Sequence, residues 1–100
     1  MYEQLLPLGS VVLVRGARKR LMITGRLQVR VGENKVYDYS GCLFPEGLVS
    51  SASLAFFDHS AIEHLYFVGF QDEEELSFRT ERMGALGEVY VDENGKIAQR

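Results

Sequence analysis

The sequence is poor in the residues that cross-link small proteins or bind metals. It has one cysteine and two histidines among 100 residues. A single cysteine cannot form an internal disulfide, which excludes the disulfide-rich class of secreted domains. His59 and His64 are five positions apart, and this spacing matches neither one face of a helix nor one face of a strand. A metal site that combines them with Asp58 is therefore disfavoured, and we expect neither a metal nor a cofactor.

Long apolar runs and a strong net charge are also missing. Pro7, Gly9 and Ser10 interrupt the N-terminal apolar stretch well short of the roughly 20 residues of a membrane helix, and no basic segment precedes it. Eleven basic residues against 14 acidic ones give a net charge of −3. Bulk electrostatic attraction to nucleic acid or to an anionic membrane is therefore not expected. These absences favour a protein of the reducing cytoplasm that does not bind membranes.

The composition is sufficient for one hydrophobic core. Hydrophobic residues make up 46% of the chain and charged residues 25%, so the signature of intrinsic disorder is absent. A chain of this length has no room for a second core. We predict a single domain, residues 1–100.

Alternating apolar and polar residues predict a mainly β fold. The clearest alternation runs from Leu21 to Val31, with Gly25 at mid-strand where a bulge or sharp bend is expected. Four further segments have the apolar, β-branched or aromatic composition of strands: residues 10–14, 35–42, 54–57 and 64–70. About five strands with short turns predict a small, partly open SH3-like barrel over residues 6–70.

The sequence changes character after the last predicted strand. Asp72 and Glu75 have the spacing of a capping box, and Gly84 can end a helix, so we predict one short amphipathic helix over residues 72–83. Residues 88–100 contain Asn94-Gly95, a typical hairpin turn, and are either a hairpin or a loosely held tail. The predicted fold class is thus mainly β (α+β) with a short C-terminal helix.

Cys42 is the one candidate nucleophile. His59, His64, Asp38 and Asp58 could in principle complete a catalytic set with it. However, Cys42 follows an aromatic strand and precedes two large apolar residues, and a free cysteine in such a place usually behaves as a small buried hydrophobe. A Cys42-dependent enzyme is therefore an alternative that we do not favour, and we predict no catalytic residues.

A nucleic-acid-binding barrel is the other alternative. Six basic residues cluster at the first predicted hairpin and along the polar face of the next strand: Arg15, Arg18, Lys19, Arg20, Arg26 and Arg30. Small barrels bind single strands through aromatic stacking and phosphate contacts. The acidic total and the acidic run over residues 72–75 argue against this function.

Three longer runs carry a family resemblance. "LPLGSVV", "YDYSGCLFPEG" and "FFDHSAIEHLYFVGFQDEEE" resemble the family of small bacterial proteins catalogued as domain of unknown function 4176, over about Leu6 to Glu75. Members that resemble this chain occur mainly in Firmicutes and are often encoded beside LXG-type toxins and WXG100-like proteins of type VII secretion. The resemblance implies a non-enzymatic cytoplasmic accessory protein, adaptor or chaperone that binds an LXG-type toxin or its small helical WXG100-like partner.

Aromatic residues of these runs predict where such a partner would bind. Tyr and Phe dominate binding hot spots, and a helical partner could use a groove between the barrel and the helix. The predicted partner-binding residues are four aromatic side chains and an acidic rim: Tyr39, Phe44, Tyr66, Phe70, Glu73 and Glu74. The same residue types also fill the end of a barrel, so the sequence leaves open whether the aromatic residues of Tyr37 to Gly47 are exposed or belong to the core. It also leaves open whether the protein forms homo-oligomers.

Overall fold

A computed structural model describes all 100 residues. It contains seven strands: β1 (Val11–Val14), β2 (Leu21–Val29), β3 (Val36–Leu43), β4 (Ala55–Phe57), β5 (Ile62–Phe67), β6 (Val89–Val91) and β7 (Ile97–Gln99). One short helix, α1 (Glu73–Ser77), continues as a wider π-helical turn, Phe78–Met83. The predicted helix over residues 72–83 is therefore confirmed, although only its first half has α-helical hydrogen bonding.

The first five strands form one antiparallel sheet in the order β4-β3-β2-β1-β5, and β6 pairs with β7 in a second, small sheet. The edge strands β4 and β5 do not pair with each other, so the sheet is not closed. The predicted mainly β class, with five central strands and a short C-terminal helix, is confirmed. The sheet keeps two open edges, β4 and β5.

Strand β2 bends where the sequence predicts. The pairing of β2 with β3 shifts register between Ile23 and Gly25. A Cβ atom at Gly25 would lie 2.7 Å from Ser40 Oγ, so a larger residue there would displace the Ser40 and Gln28 side chains that pack over the bend. The predicted continuation of the strand to Val31 is wrong, because the chain turns at Arg30, whose carbonyl oxygen accepts a hydrogen bond from Glu33 N (3.0 Å).

The core lies against one face of the large sheet. Residues that pair directly on neighbouring strands share a face, as Val12 and Leu21 do. The seven buried residues of the main cluster come from the N-terminal segment, four strands and the helical segment: Leu5, Val12, Leu21, Ile23, Tyr39, Phe57 and Met83. The other face of the sheet has no helix packed against it.

A mostly buried ion pair joins the helix to the sheet. Asp72 Oδ1 accepts a hydrogen bond from Glu75 N (2.9 Å), as the predicted cap requires. The Glu75 carboxylate does not complete the capping box but accepts two hydrogen bonds from Arg26 of β2, at 2.8 and 3.2 Å. The two side chains are only 9% and 14% exposed. This bidentate pair fixes the position of the helix on the sheet.

The C-terminal segment is a hairpin, which resolves the choice between hairpin and tail. Asp92 Oδ1 accepts hydrogen bonds from Asn94 N and Lys96 N, both at 2.9 Å, and so closes the turn between β6 and β7. The Val89 amide donates to Tyr2 Oη (3.0 Å). The hairpin is thereby tied to the N-terminal segment.

Candidate partner-binding site

The edge strand β5 exposes an unusual amount of apolar surface. It pairs only with β1. Its last three residues, Leu65, Tyr66 and Phe67, are 47%, 56% and 60% exposed, and Val68 follows at 43%. Natural edge strands are commonly protected by charged residues. A continuous exposed apolar patch on such an edge is typical of a surface that binds another molecule.

Two bulges shape this strand. The β1 residues pair with Ile62, His64, Leu65 and Phe67, which leaves Glu63 and Tyr66 without a partner in the register. A bulge redirects a side chain that regular alternation would send to the opposite face. Tyr66 and Phe67 are adjacent in sequence, yet both line the same pocket.

The pocket lies on the face of the sheet opposite the core. Phe67, Val11 and Met22 pair across three strands and therefore form one row on this face. The pocket is lined by that row and by side chains around it: Gly9, Val11, Arg20, Met22, Phe44, Tyr66 and Phe67. Its volume is about 580 Å³, which is within the range of small-ligand and side-chain binding sites.

Arg20 supplies the only charge in the pocket lining. Its guanidinium carbon lies 5.1 Å from the centroid of the Phe44 ring and 5.9 Å from that of Tyr66. The Arg20 carbonyl oxygen accepts a hydrogen bond from Phe44 N (2.9 Å), which places the two residues side by side. Lys19 instead pairs with Glu46 at 2.9 Å, and this hydrogen bond is the main reason that the pKa of Glu46 is lowered. Arg20 has no such carboxylate partner.

The structure brings together only some of the predicted partner-binding residues. Phe44 and Tyr66 line the pocket described above. Phe70, which is 78% exposed, lies in a separate depression with Phe78 near the start of the helix. Glu74 lines that second depression, and Glu73 is exposed in the first helical turn. The structure therefore does not bring the four aromatic residues together in one groove between the sheet and the helix.

Tyr39 is a core residue, and the prediction that it contacts a partner is wrong. Its side chain is 0% exposed, and its ring lies 5.4 Å from that of Phe57. The phenol oxygen accepts a hydrogen bond from Leu6 N (2.8 Å) and lies 2.6 Å from His59 Nδ1. Since the amide hydrogen comes from Leu6, the phenol proton is available for His59. Alternation along β3 places Tyr39 on the inner face of the sheet, where no partner can reach it.

Burial raises the pKa of Tyr39 to about 12, although the hydrogen bond from Leu6 favours the ionised phenol. An unfolded tyrosine has a pKa of about 10. The neutral phenol therefore stabilises the fold fully below about pH 10, and this contribution is lost as the pH rises toward 12, by about 1.4 kcal/mol per pH unit in that interval.

We expect the alkaline loss of stability to depend on Tyr39. The measurement is urea unfolding from pH 8 to 11.5, for the wild type and for Tyr39→Phe, which has no phenol to ionise. The free energy of unfolding should fall more steeply above pH 10 in the wild type, because its unfolded state releases a proton that the folded state retains. Lysines titrate in both proteins and cancel in the comparison. If the free energies of unfolding of the two proteins differed by the same amount at every pH, the prediction would be contradicted.

Cys42 has the environment of a structural residue. Its side chain is 2% exposed, and it pairs with Met22 across the sheet. His59, one of the two histidines that could activate it, uses Nδ1 to contact Tyr39. No group of three or more His, Cys, Asp or Glu side chains is arranged to hold a metal ion. These contacts favour the interpretation of Cys42 as a small buried hydrophobe.

The sequence patterns predict only two of the seven residues that line the pocket as partner-binding, Phe44 and Tyr66. Val11, Met22 and Phe67 look like ordinary strand residues, and only the pairing register reveals that they form a row. Arg20 is predicted only as one of the basic residues of the first hairpin, and it is exposed there, but its place beside Phe44 and Tyr66 depends on the fold. The one signal for Phe67 was its place in the aromatic run "HLYFVGF", which is too apolar for an ordinary edge strand.

Fold and site together define a small mainly β protein with an apolar pocket on an open antiparallel sheet. Residues 5–78 match the model of the family described as Domain of unknown function (DUF4176). Because the match covers well over half of the chain, the protein belongs to this family. No curated protein and no solved structure is significantly similar to the chain. None of its helices combines the length and the apolar character needed to span a bilayer.

Proposed function

We propose that the protein is a non-enzymatic adaptor or chaperone-like protein of type VII secretion. It acts in the cytoplasm and binds an LXG-type toxin or the small helical WXG100-like partner of such a toxin. The exposed apolar pocket beside β5 is the observation that carries the binding function. The type of partner is inferred from the resemblance of the chain to family members that are encoded beside such toxins.

The chemistry of the pocket supports a protein partner. Phe44 and Tyr66 are residue types that are enriched in binding hot spots, and the guanidinium of Arg20 lies 5.1 and 5.9 Å from their ring centroids. A partner helix places apolar side chains at i, i+3, i+4 and i+7 on one face and can insert them into an apolar groove. One such side chain could fill the pocket while its neighbours cover the exposed surface of β5.

We expect Phe44→Ala and Tyr66→Ala each to weaken binding of the co-encoded LXG toxin, or of its WXG100-like partner, by about 1–2 kcal/mol, the scale of a moderate hot spot. The reason is that each substitution removes one wall of the pocket while leaving the core untouched. Isothermal titration calorimetry with the purified toxin domain and with the small helical partner measures this effect.

Phe56→Ala is a matched control for Phe44→Ala. Phe56 lies on β4, at the opposite edge of the sheet, and Arg30 covers its ring at 5.2 Å much as Arg20 covers Phe44 at 5.1 Å. The control should bind like the wild type if the pocket is the binding site. Equal binding by folded Phe44→Ala, Tyr66→Ala and wild type would contradict the assignment of the site, and absence of binding to every co-encoded partner would contradict the proposed function.

A further inference from the structure

We propose that the pocket recognises an acidic-apolar anchor on the partner and that Arg20 binds its carboxylate. An acidic-apolar anchor is an apolar side chain with an Asp or Glu residue beside it on the same segment. This inference rests on the proposed function, because it specifies the chemistry of the segment that the same pocket takes.

The apolar half of the anchor follows from the pocket lining. Val11, Met22 and Phe67 form the row at its base, and the rings of Phe44 and Tyr66 stand beside the row. Arg20 is the only residue of the lining with a charged side chain. An apolar side chain that enters this space removes water from apolar surface on both molecules, which is the main driving force for such binding.

The acidic half follows from the position of Arg20. Its guanidinium lies beside two aromatic rings and forms no ion pair. Its charge helps to lower the pKa of Glu46, but that carboxylate is already paired with the neighbouring Lys19 at 2.9 Å. A segment that covers the pocket removes water from the guanidinium, and an uncompensated charge in such a place is costly. A carboxylate removes this cost, because a guanidinium can donate two parallel hydrogen bonds to it. An anchor without a carboxylate would remove water from the guanidinium and offer it no partner, so the full desolvation cost would remain.

A phosphate could satisfy Arg20 in the same way, but the surroundings favour a peptide. Nucleic acids bind through many phosphate contacts, and much of their affinity depends on Lys and Arg side chains that neutralise the phosphates. Lys19 is already paired with Glu46, and the chain as a whole carries a net charge of −3. Glu73 and Glu74, which are exposed in the acidic first turn of α1, follow β5 closely in sequence and would repel a strand of phosphates.

The inference is tested by selection from a phage-displayed library of random peptides on three immobilised proteins. These are the wild type, Arg20→Gln, and the matched control Arg18→Gln, which removes a neighbouring exposed charge outside the pocket lining. Peptides selected by the wild type and by Arg18→Gln should carry an aromatic or aliphatic residue with Asp or Glu within one helical turn. The acidic residue should lose its enrichment on Arg20→Gln, while the apolar residue keeps it.

The tightest selected peptide then gives a double-mutant cycle. Replacing its acidic residue by the corresponding amide should weaken binding to the wild type and to Arg18→Gln about tenfold, as expected for a close charge pair that loses water on binding. The same replacement should change binding to Arg20→Gln less than about twofold, because the guanidinium is then absent.

Three results would overturn the inference. These are a library that yields no binding peptide, selected peptides without an acidic preference, and an acidic preference that survives in Arg20→Gln. Arg20-dependent binding of a single-stranded oligonucleotide at near-physiological salt would also overturn it in favour of nucleic acid. Failure of the proposed function is recognised separately, because it requires that no co-encoded toxin or helical partner binds, whatever the library selects.

Discussion

Replacing Tyr39 with alanine is expected to lower the free energy of unfolding by about 3–5 kcal/mol, the usual cost of removing a buried aromatic side chain. The ring packs against Phe57, and the phenol oxygen accepts the Leu6 amide hydrogen bond. The substitution leaves a cavity and an amide group without a partner. Because small domains have a total stability of only about 5–15 kcal/mol, the variant should be partly unfolded near body temperature. Urea unfolding followed by circular dichroism measures the loss.

Two further tyrosine variants separate packing from hydrogen bonding. Tyr39→Phe keeps the ring but removes the partner of both Leu6 N and His59 Nδ1, and should cost about 1–3 kcal/mol. Tyr37→Phe is the control, because the Tyr37 hydroxyl donates only to Glu33 near the surface (2.6 Å) and its loss should cost about 1 kcal/mol or less. If Tyr39→Ala were no more destabilising than Tyr37→Phe, Tyr39 would not be the centre of the core.

The sequence was sufficient to predict the elements of secondary structure because their signals are local. Alternation predicted β2, and Gly25 predicted its bend, since both depend on neighbouring residues along one strand. The Asp72 cap was predictable for the same reason, and its hydrogen bond to Glu75 N is present. The role of the Glu75 carboxylate was not, because its partner Arg26 is 49 positions away in the sequence. Contacts of that kind depend on how the elements pack.

It was harder to predict which face of each strand is buried than to predict where the strands lie in the sequence. Tyr39 and Phe44 belong to one aromatic run, yet Tyr39 is in the core and Phe44 lines the surface pocket. Alternation divides a strand into two faces but does not say which face is buried. The bulge at Tyr66 then breaks the alternation in β5, so that Tyr66 and Phe67 line the same pocket. No glycine marks this interruption of the register at Tyr66, as Gly25 marks the one in β2.

The N-terminal segment, at Leu8 to Ser10, crosses the chain at Gly69 just after β5. This crossing fixes the end of β5 beside the pocket. Gly69 N donates a hydrogen bond to Ser10 Oγ (3.0 Å), and Ser10 Oγ donates to the Pro7 carbonyl oxygen (2.8 Å). Ser10 is 0% exposed, so this pair satisfies polar groups that water does not reach. Gly9, from the same N-terminal segment, lines the pocket. The contact between the N-terminal segment and Gly69 therefore contributes both to the stability of the fold and to the shape of the pocket.

Gly69→Ala is expected to destabilise the protein by about 3 kcal/mol or more, at the upper end of the cost of overpacking. A Cβ atom at this position would overlap the Leu8 carbonyl oxygen and would lie 2.9 Å from Ser10 N. Both are backbone atoms and cannot move aside by a change of rotamer, so the two crossing segments must separate. Urea unfolding measures the loss of stability, and titration with the co-encoded partner should detect weaker binding as the pocket loses its fixed edge.

Gly16→Ala is the control for this substitution. Gly16 has a positive φ of 82° but no neighbouring atom within 4 Å of an added Cβ, so alanine there should cost only the backbone strain of about 1–2 kcal/mol. The Gly16 variant should also leave partner binding unchanged, because Gly16 does not line the pocket. If Gly69→Ala lost no more stability than Gly16→Ala, the segments at the crossing would be able to separate at little cost. In that case the end of β5 would be adjustable, and the pocket would take its shape from the partner rather than from Gly69.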